Sequence, residues 1–288
     1  MRRSRNDTEL LIRRLLFCVA FSVVSILALI ALFIFKEGLP LIVKVGLKDF
    51  IFGRVWLPQK GIFGIYPFII GSLWVTFSCL VIGVPLGLAC AIFLVEFSPR
   101  KVAVILKPAM ELLAGIPSVV YGFIGVVILA PFIRTCFGGP GFSLLAGSFV
   151  LGIMILPTII SISVDAFQSL PHTYREGAIA LGATRWQTVW MVLLPAARSG
   201  IMAAVILGMG RAIGETMAVI MVAGNAVSIP RSLLDPARTL TSNIALEMGY
   251  AVGDHRQALF ATGIVLFIFV MILNTAATVF IRRRIRED

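Results

Sequence analysis

Six apolar runs dominate this chain of 288 residues, at about 15–35, 68–97, 102–132, 142–164, 200–222 and 258–281. Each has about 20 residues or more, enough for a helix rising 1.5 Å per residue to cross a hydrocarbon layer of about 30 Å. Such a chain cannot hide its surface in water: 59% of its residues are hydrophobic and 14% are charged, against about 25% charged in a soluble domain. Soluble globular, disordered, collagen-like and disulfide-stapled secreted classes are excluded. Strand-period alternation is absent, which excludes a membrane barrel. The expected fold class is an all-α polytopic membrane protein with six transmembrane helices. Pro85 and Pro117 fall in the second and third runs, where kinks or breaks are expected.

Charge gives the orientation. Fifteen Lys and Arg residues lie at the N-terminus, around Arg100, Lys101 and Lys107, between the fourth and fifth runs, and in the tail from Arg282 to Arg286. Nine lie in the longer loops of the other side. The richer side is cytoplasmic, so both termini are expected inside. The net charge of +11 is then a membrane signature; lipid is an expected partner and nucleic acid is not. Arg2, Arg3, Arg5, Arg13 and Arg14 precede the first run, and no small-residue cleavage motif follows it, so it reads as an uncleaved membrane helix. Cys18, Cys79 and Cys90 lie inside apolar runs and read as small core residues. Cys136 lies near a loop; no disulfide or metal-ligand spacing is evident. His172 and His255 have no ligand-spaced partners. Residues 1–67 are read as a cytoplasmic arm, the first helix and a long external segment. Residues 68–288 are read as a five-helix core with a cytoplasmic loop at about 165–199.

That loop reads as helix, break, helix. Pro171 suits a first helical turn, Glu176 lies near the positive helix start, and Gly182 fits a left-handed stop. Thr184 with Gln187 is a capping-box pattern for a second helix. On it Trp186, Val189, Trp190 and Leu193 are expected to share one face. Gly177 and Ala178 leave a smooth surface that another protein can approach. The order Glu176-Gly177-Ala178, three residues, Gly182, nine residues, Val192-Leu193-Leu194-Pro195 resembles the EAA loop of ABC importer permeases. Gly177 stands for Ala and Val192 for Ile. The alternative is a hairpin that merely links two spans.

The fifth run holds Gly208-Met209-Gly210-Arg211-Ala212-Ile213-Gly214-Glu215-Thr216. Arg211 and Glu215, four apart, are expected to share a helix face and pair. Charges at membrane depth are costly and usually face the bundle or a water path. Two readings stand: a structural ion pair, or an anion path in which the Arg211 fork receives an oxyanion. Glu111, ahead of Gly115-Ile116-Pro117-Ser118 in the third run, extends the candidate path with Ser118. Glu111, Ser118, Tyr121 and Thr158 either line that path or only satisfy interhelical hydrogen bonds. No GxxxxGK[ST] phosphate loop is present, so ATP chemistry would belong to a partner and the chain is not expected to be an enzyme.

Trp56-Leu57-Pro58 with Phe63-Gly64, Gly115 to Gly122, the EAA-like loop and Gly210 to Ala218 together resemble the phosphate branch of the ABC importer permeases, the PstC type. The related PstA type shares the core of the Arg211–Glu215 stretch. The resemblance implies a type I (MetI-like) permease bundle in the bacterial inner membrane, moving inorganic phosphate by alternating access. It implies a PstA-like sister permease, two PstB-like ATPase subunits that use ATP and magnesium, and a periplasmic PstS-like phosphate-binding protein; no cofactor or metal of the chain's own is implied. On this resemblance Arg211, Glu215, Thr216, Glu111 and Ser118 line the substrate path. Glu176, Gly177, Ala178, Gly182, Leu194 and Pro195 couple to the ATPase. A permease for sulfate or molybdate, and an ATP-independent carrier, stay open.

Overall fold

The computed structural model describes residues 2–286, with side chains described for 12–99, 101–102, 104–106, 108–276 and 278–279. The side chains of Arg2, Arg3, Arg5, Arg100, Lys107, Arg282, Arg283, Arg284 and Arg286, on which the orientation partly rests, lie outside the described residues.

The chain opens with helix α1 (Arg2–Val45) and short α2 (Leu47–Phe52). A small antiparallel hairpin follows, β1 (Trp56–Leu57) and β2 (Ile62–Phe63), with Trp56 opposite Phe63. Then come α3 (Tyr66–Phe97), α4 (Arg100–Gly115), α5 (Ser118–Phe137) and α6 (Leu144–Gln168). The cytoplasmic loop forms α7 (His172–Ala180) and α8 (Arg185–Ala196). The chain ends with α9 (Arg198–Gly214), α10 (Met217–Val222), α11 (Leu240–Glu247) and α12 (Asp254–Arg286). Among the described residues, five helices are long and apolar enough to cross a membrane: α1 from Ile12, α3, α5, α6 and α12 to Ala276. The pair α8 and α9, bent by 71°, makes a sixth when counted as one broken crossing.

Two runs depart from continuous spans. The third breaks at Ile116–Pro117, because a residue before proline is driven out of the helical region; Ile116 sits at φ −66°, ψ 128°. Only α5 crosses, and α4 precedes it as a separate helix. The Tyr121 hydroxyl donates to the Leu113 carbonyl across this break at 2.7 Å. The fifth run stops at Gly214, with Glu215 extended at φ −70°, ψ 132°. No proline is responsible. Instead the freed polar groups find partners: Thr241 Oγ1 donates to the Glu215 carbonyl at 3.1 Å, and the Glu215 carboxylate accepts the Ala218 N–H at 3.1 Å. Buried backbone groups must be paired, and these contacts let the helix end at membrane depth. By contrast α3 and α6 run on through Pro85 and Pro157.

Lipid tails are as apolar as leucine, so helices in a membrane associate by close packing and hydrogen bonds. Glycines supply the approach between α3 and α6. A Cβ on Gly83 would stand 2.8 Å from Ile155 Cδ1, and one on Gly87 2.7 Å from Ile159 Cγ2. Gly38 of α1 presses on the backbone of α12 in the same way, with a Cβ 2.7 Å from the Ala261 nitrogen. The central core (Val75, Cys79, Leu151, Met154, Ile155, Val219, Val222) is closed by α3, α5, α6 and α10. An outer layer (Leu41, Phe50, Trp56, Phe63, Phe68, Leu240, Leu259) packs the hairpin and α11 against α1 and α12. An inner layer (Ile92, Ile160, Val164, Phe167, Val189, Leu193) joins the cytoplasmic ends of α3 and α6 to α8. Of the cysteines expected in a core, only Cys79 is buried; Cys18 and Cys90 are exposed, on membrane-crossing helices where apolar lipid suits a thiol as well as a core does. All four are free.

A buried polar cluster holds the outer layer together. The Glu247 carboxylate accepts from Arg238 Nη1 at 2.6 Å and Trp56 Nε1 at 2.9 Å, and lies 2.8 Å from His255 Nε2. Arg238 also donates to the Asn225 carbonyl and to Asn243 Oδ1, both at 3.1 Å. Five separate stretches of chain thereby meet on one carboxylate–guanidinium pair.

Candidate functional site

A cavity of about 300 Å³ opens between α3, α4 and α6. Its wall is Leu94 of α3, Met110, Glu111 and Ala114 of α4, and Pro157, Thr158, Ser161, Ile162, Val164 and Gln168 of α6. Leu94 and Gln168 belong to the last turns of their helices at the basic end, so the cavity occupies the cytoplasmic half of the bundle. Thr158, Ser161 and Gln168 recur at three- to seven-residue intervals along α6, which puts their polar groups on one stripe of an apolar helix.

Arg211 reaches this wall from α9. Its Nη1 donates to Thr158 Oγ1 at 3.3 Å, and small Gly208, one turn earlier, brings α9 close to Ile159. The side chain is half-buried. Guanidinium has five N–H donors, and among the described residues only the Thr158 bond is made. The expected pairing with Glu215 does not form. The helix ends before Glu215, the four-residue geometry is lost, and the carboxylate turns instead to the Ala218 N–H. Arg211 is not itself a lining residue: it stands behind Thr158, and among the described residues no carboxylate pairs with it.

The other path candidates divide. Glu111 lines the cavity. Ser118 is the first residue of α5 and Glu215 and Thr216 form the break between α9 and α10; none of the three is in the wall. The Thr216 hydroxyl donates to the Gly214 carbonyl at 3.3 Å, a local turn contact. Ser161 and Gln168 belong to the wall without having been singled out from the sequence. Their spacing from Thr158 on an otherwise apolar run was the available signal.

The cytoplasmic hairpin keeps the predicted order of helix, break and helix, but its first helix begins at His172, which leaves Glu176 beyond the first turn. Gly182 turns the chain at φ +85°, a region costly for other residues. The capping box is complete: Gln187 N–H to Thr184 Oγ1 at 3.3 Å and Thr184 N–H to Gln187 Oε1 at 2.8 Å. Ala178 faces inward while Glu176 and Gly177 are exposed. Leu194 and Pro195 form the last turn of α8 before the bend into α9. One expectation fails: Val189 and Leu193 are buried, whereas Trp186 and Trp190 are 58% and 50% exposed. A π turn at Val189–Leu193 disrupts the 3.6-residue period and separates the two pairs. Exposed Ile179, Leu181 and Trp186 make the hairpin tip apolar.

A helical bundle with an internal cavity, a cation bonded to one residue of its wall and a capped cytoplasmic hairpin is an architecture suited to the membrane subunit of a transporter. Residues 83–287 match the family described as binding-protein-dependent transport system inner membrane component, and the chain belongs to that family. It is 44% identical to the probable ABC transporter permease protein YqgH of Bacillus subtilis (strain 168), over 95% of this chain and 92% of that protein. It is 39% identical to the phosphate transport system permease protein PstC of Mesorhizobium japonicum, over 82% of this chain and 78% of that one. Among solved structures, an inward-facing MetNI methionine ABC transporter aligns with a TM-score of 0.62 at 21% identity, over 80% of this chain and 99% of that chain. That likeness is one of fold.

Proposed function

We propose that the chain is a permease subunit of an ATP-driven importer of inorganic phosphate in the bacterial cytoplasmic membrane. The observation that carries the reading is Arg211: a half-buried guanidinium bonded to Thr158 of the cavity wall, with one donor engaged and no carboxylate paired to it among the described residues. A planar fork of donors suits a tetrahedral oxyanion. Glu111 adds a carboxylate to the same cavity. Carboxylates accept hydrogen bonds, and phosphate at neutral pH carries a proton to give, whereas sulfate carries none. The relatives named as phosphate permeases support the same substrate.

The partners follow from this reading. A PstA-like sister permease supplies the other half of the path, two PstB-like ATPases supply the energy, and a PstS-like binding protein delivers phosphate outside. The exposed Glu176 carboxylate and the apolar tip of the α7–α8 hairpin are the surface offered to the ATPase. Alternating access then moves the cavity from outward- to inward-open. The test is uptake of radiolabelled phosphate by proteoliposomes holding the four-component complex, with ATP inside and excess sulfate outside. ATP-dependent uptake unaffected by sulfate is expected. Uptake without ATP, or transport of sulfate in place of phosphate, overturns the mechanism or the substrate respectively.

A further inference from the structure

The geometry points to the ion pair between Arg175 and Glu96 as the joint through which the cytoplasmic hairpin moves the cavity wall. The inference rests on the importer reading above and adds to it the residues that carry the movement.

Arg175 stands on α7 and Glu96 lies 79 positions earlier, in the π turn Phe93–Phe97 that ends α3. Arg175 Nε and Nη2 both donate to Glu96 Oε1, at 2.9 and 2.7 Å, and Nη2 also donates to the Phe167 carbonyl at 3.3 Å. One guanidinium thus holds the hairpin, the end of α3 and the end of α6. The side chains are only 19% and 15% exposed, so solvent screening of the pair is weak. A second contact lies beside it: the Phe97 ring meets Trp186 of α8 at 6.0 Å. Both helices of the hairpin are therefore fastened to the last turn of α3.

The π turn matters to this geometry. Its extra residue turns the following side chains by about 100° relative to a continuous α-helix, and Glu96 and Phe97 are the residues it re-aims. Ahead of the turn, α3 is locked to α6 by Gly83 and Gly87 against Ile155 and Ile159. Thr158, between those isoleucines on α6, is the partner of Arg211. Leu94 and the α6 stripe are the cavity wall itself. Movement of the hairpin passes to α3 and α6 as one packed body, and from it to the group that holds Arg211. An apolar contact would stabilise this junction at lower desolvation cost. The charged pair adds a single fixed geometry, which transmission of a rigid movement requires.

The test compares the full reconstituted importer with wild-type chain, Glu96→Gln, Arg175→Gln, and the exchanged pair Glu96→Arg with Arg175→Glu. Three quantities are measured: ATPase subunit retained on purification, ATP hydrolysed, and phosphate imported. Each single variant is expected to retain the ATPase and hydrolyse ATP while importing about tenfold less phosphate per ATP, a loss of the size of an ordinary coupling energy. The exchanged pair is expected to recover most of the ratio. Single variants with the wild-type ratio overturn the joint, as do single variants that lose the ATPase altogether, and as does an exchanged pair no better than the single variants. A wild-type complex that imports no phosphate with ATP overturns the importer reading and the joint with it; the control separates that failure from the others.

Discussion

Replacing Glu247 by alanine should loosen the outer layer more than any other single carboxylate change there. The side chain is 9% exposed and its partner Arg238 14% exposed. The substitution removes the acceptor for Arg238 and Trp56 and the partner of His255. Removing one member of a buried pair costs about 3–5 kcal/mol, because the other charge stays buried without compensation. At about 2–4 °C per kcal/mol, the figure for chains of about 150–250 residues, the melting temperature should fall by roughly 6–20 °C. The internal control is Asp254→Asn, which breaks the Lys44–Asp254 pair, exposed by 64% and 48%. Exposed pairs contribute about 0–1 kcal/mol, so this variant should melt within about 4 °C of wild type. The assay is thermal unfolding of purified protein in detergent at one fixed scan rate, since irreversible unfolding makes the midpoint rate-dependent. A Glu247→Ala protein melting within about 2 °C of wild type, or no lower than Asp254→Asn, refutes the argument that this cluster fastens the layer.

Further outcomes follow from single contacts. Gly71→Ala places a Cβ 2.4 Å from the Arg238 carbonyl oxygen, and overpacking of this kind costs about 1–3 kcal/mol; a lower melting temperature in the same assay checks it. Gly182→Ala forces a side chain to φ +85° at about 1–3 kcal/mol, and ATPase retention and phosphate uptake should both fall; unchanged retention contradicts it. Glu176→Lys reverses the charge offered by the hairpin and should weaken ATPase co-purification without changing the melting temperature.

The bundle was legible because its determinants are local. A run of twenty apolar residues, a proline after Ile116 and a glycine between two capping patterns each dictate a nearby conformation. The hairpin around Gly182 followed its sequence for that reason. What was not legible depended on contacts between distant residues. The end of α9 at Gly214 leaves the Glu215 carbonyl to Thr241, twenty-six positions beyond Glu215, so spacing alone implied an Arg211–Glu215 pair that the backbone does not allow. The Glu96–Arg175 pair and the meeting of Trp56, Arg238, Glu247 and His255 have no periodic signature at all. The cavity was half legible: Glu111 stood out as a charge in an apolar run, Arg211 as a charge bonded to its wall, and Thr158 was a weaker candidate. Ser161 and Gln168 needed the packing of α4 against α6 to acquire meaning.

The central claim is that Arg211 receives phosphate. It is tested most directly by phosphate uptake into proteoliposomes of the complete importer, as a function of external phosphate, with Arg211→Ala and Arg211→Lys beside wild type. Hydrogen bonds to charged groups contribute about 1.5–3 kcal/mol each. Loss of two on the transported anion should therefore lower uptake about a hundredfold or more in Arg211→Ala. Arg211→Lys keeps the charge without the fork and should fall between. Melting should change little, because the only bond lost among the described residues is the 3.3 Å contact with Thr158. Uptake by Arg211→Ala within about twofold of wild type, in a complex that still hydrolyses ATP, contradicts the account.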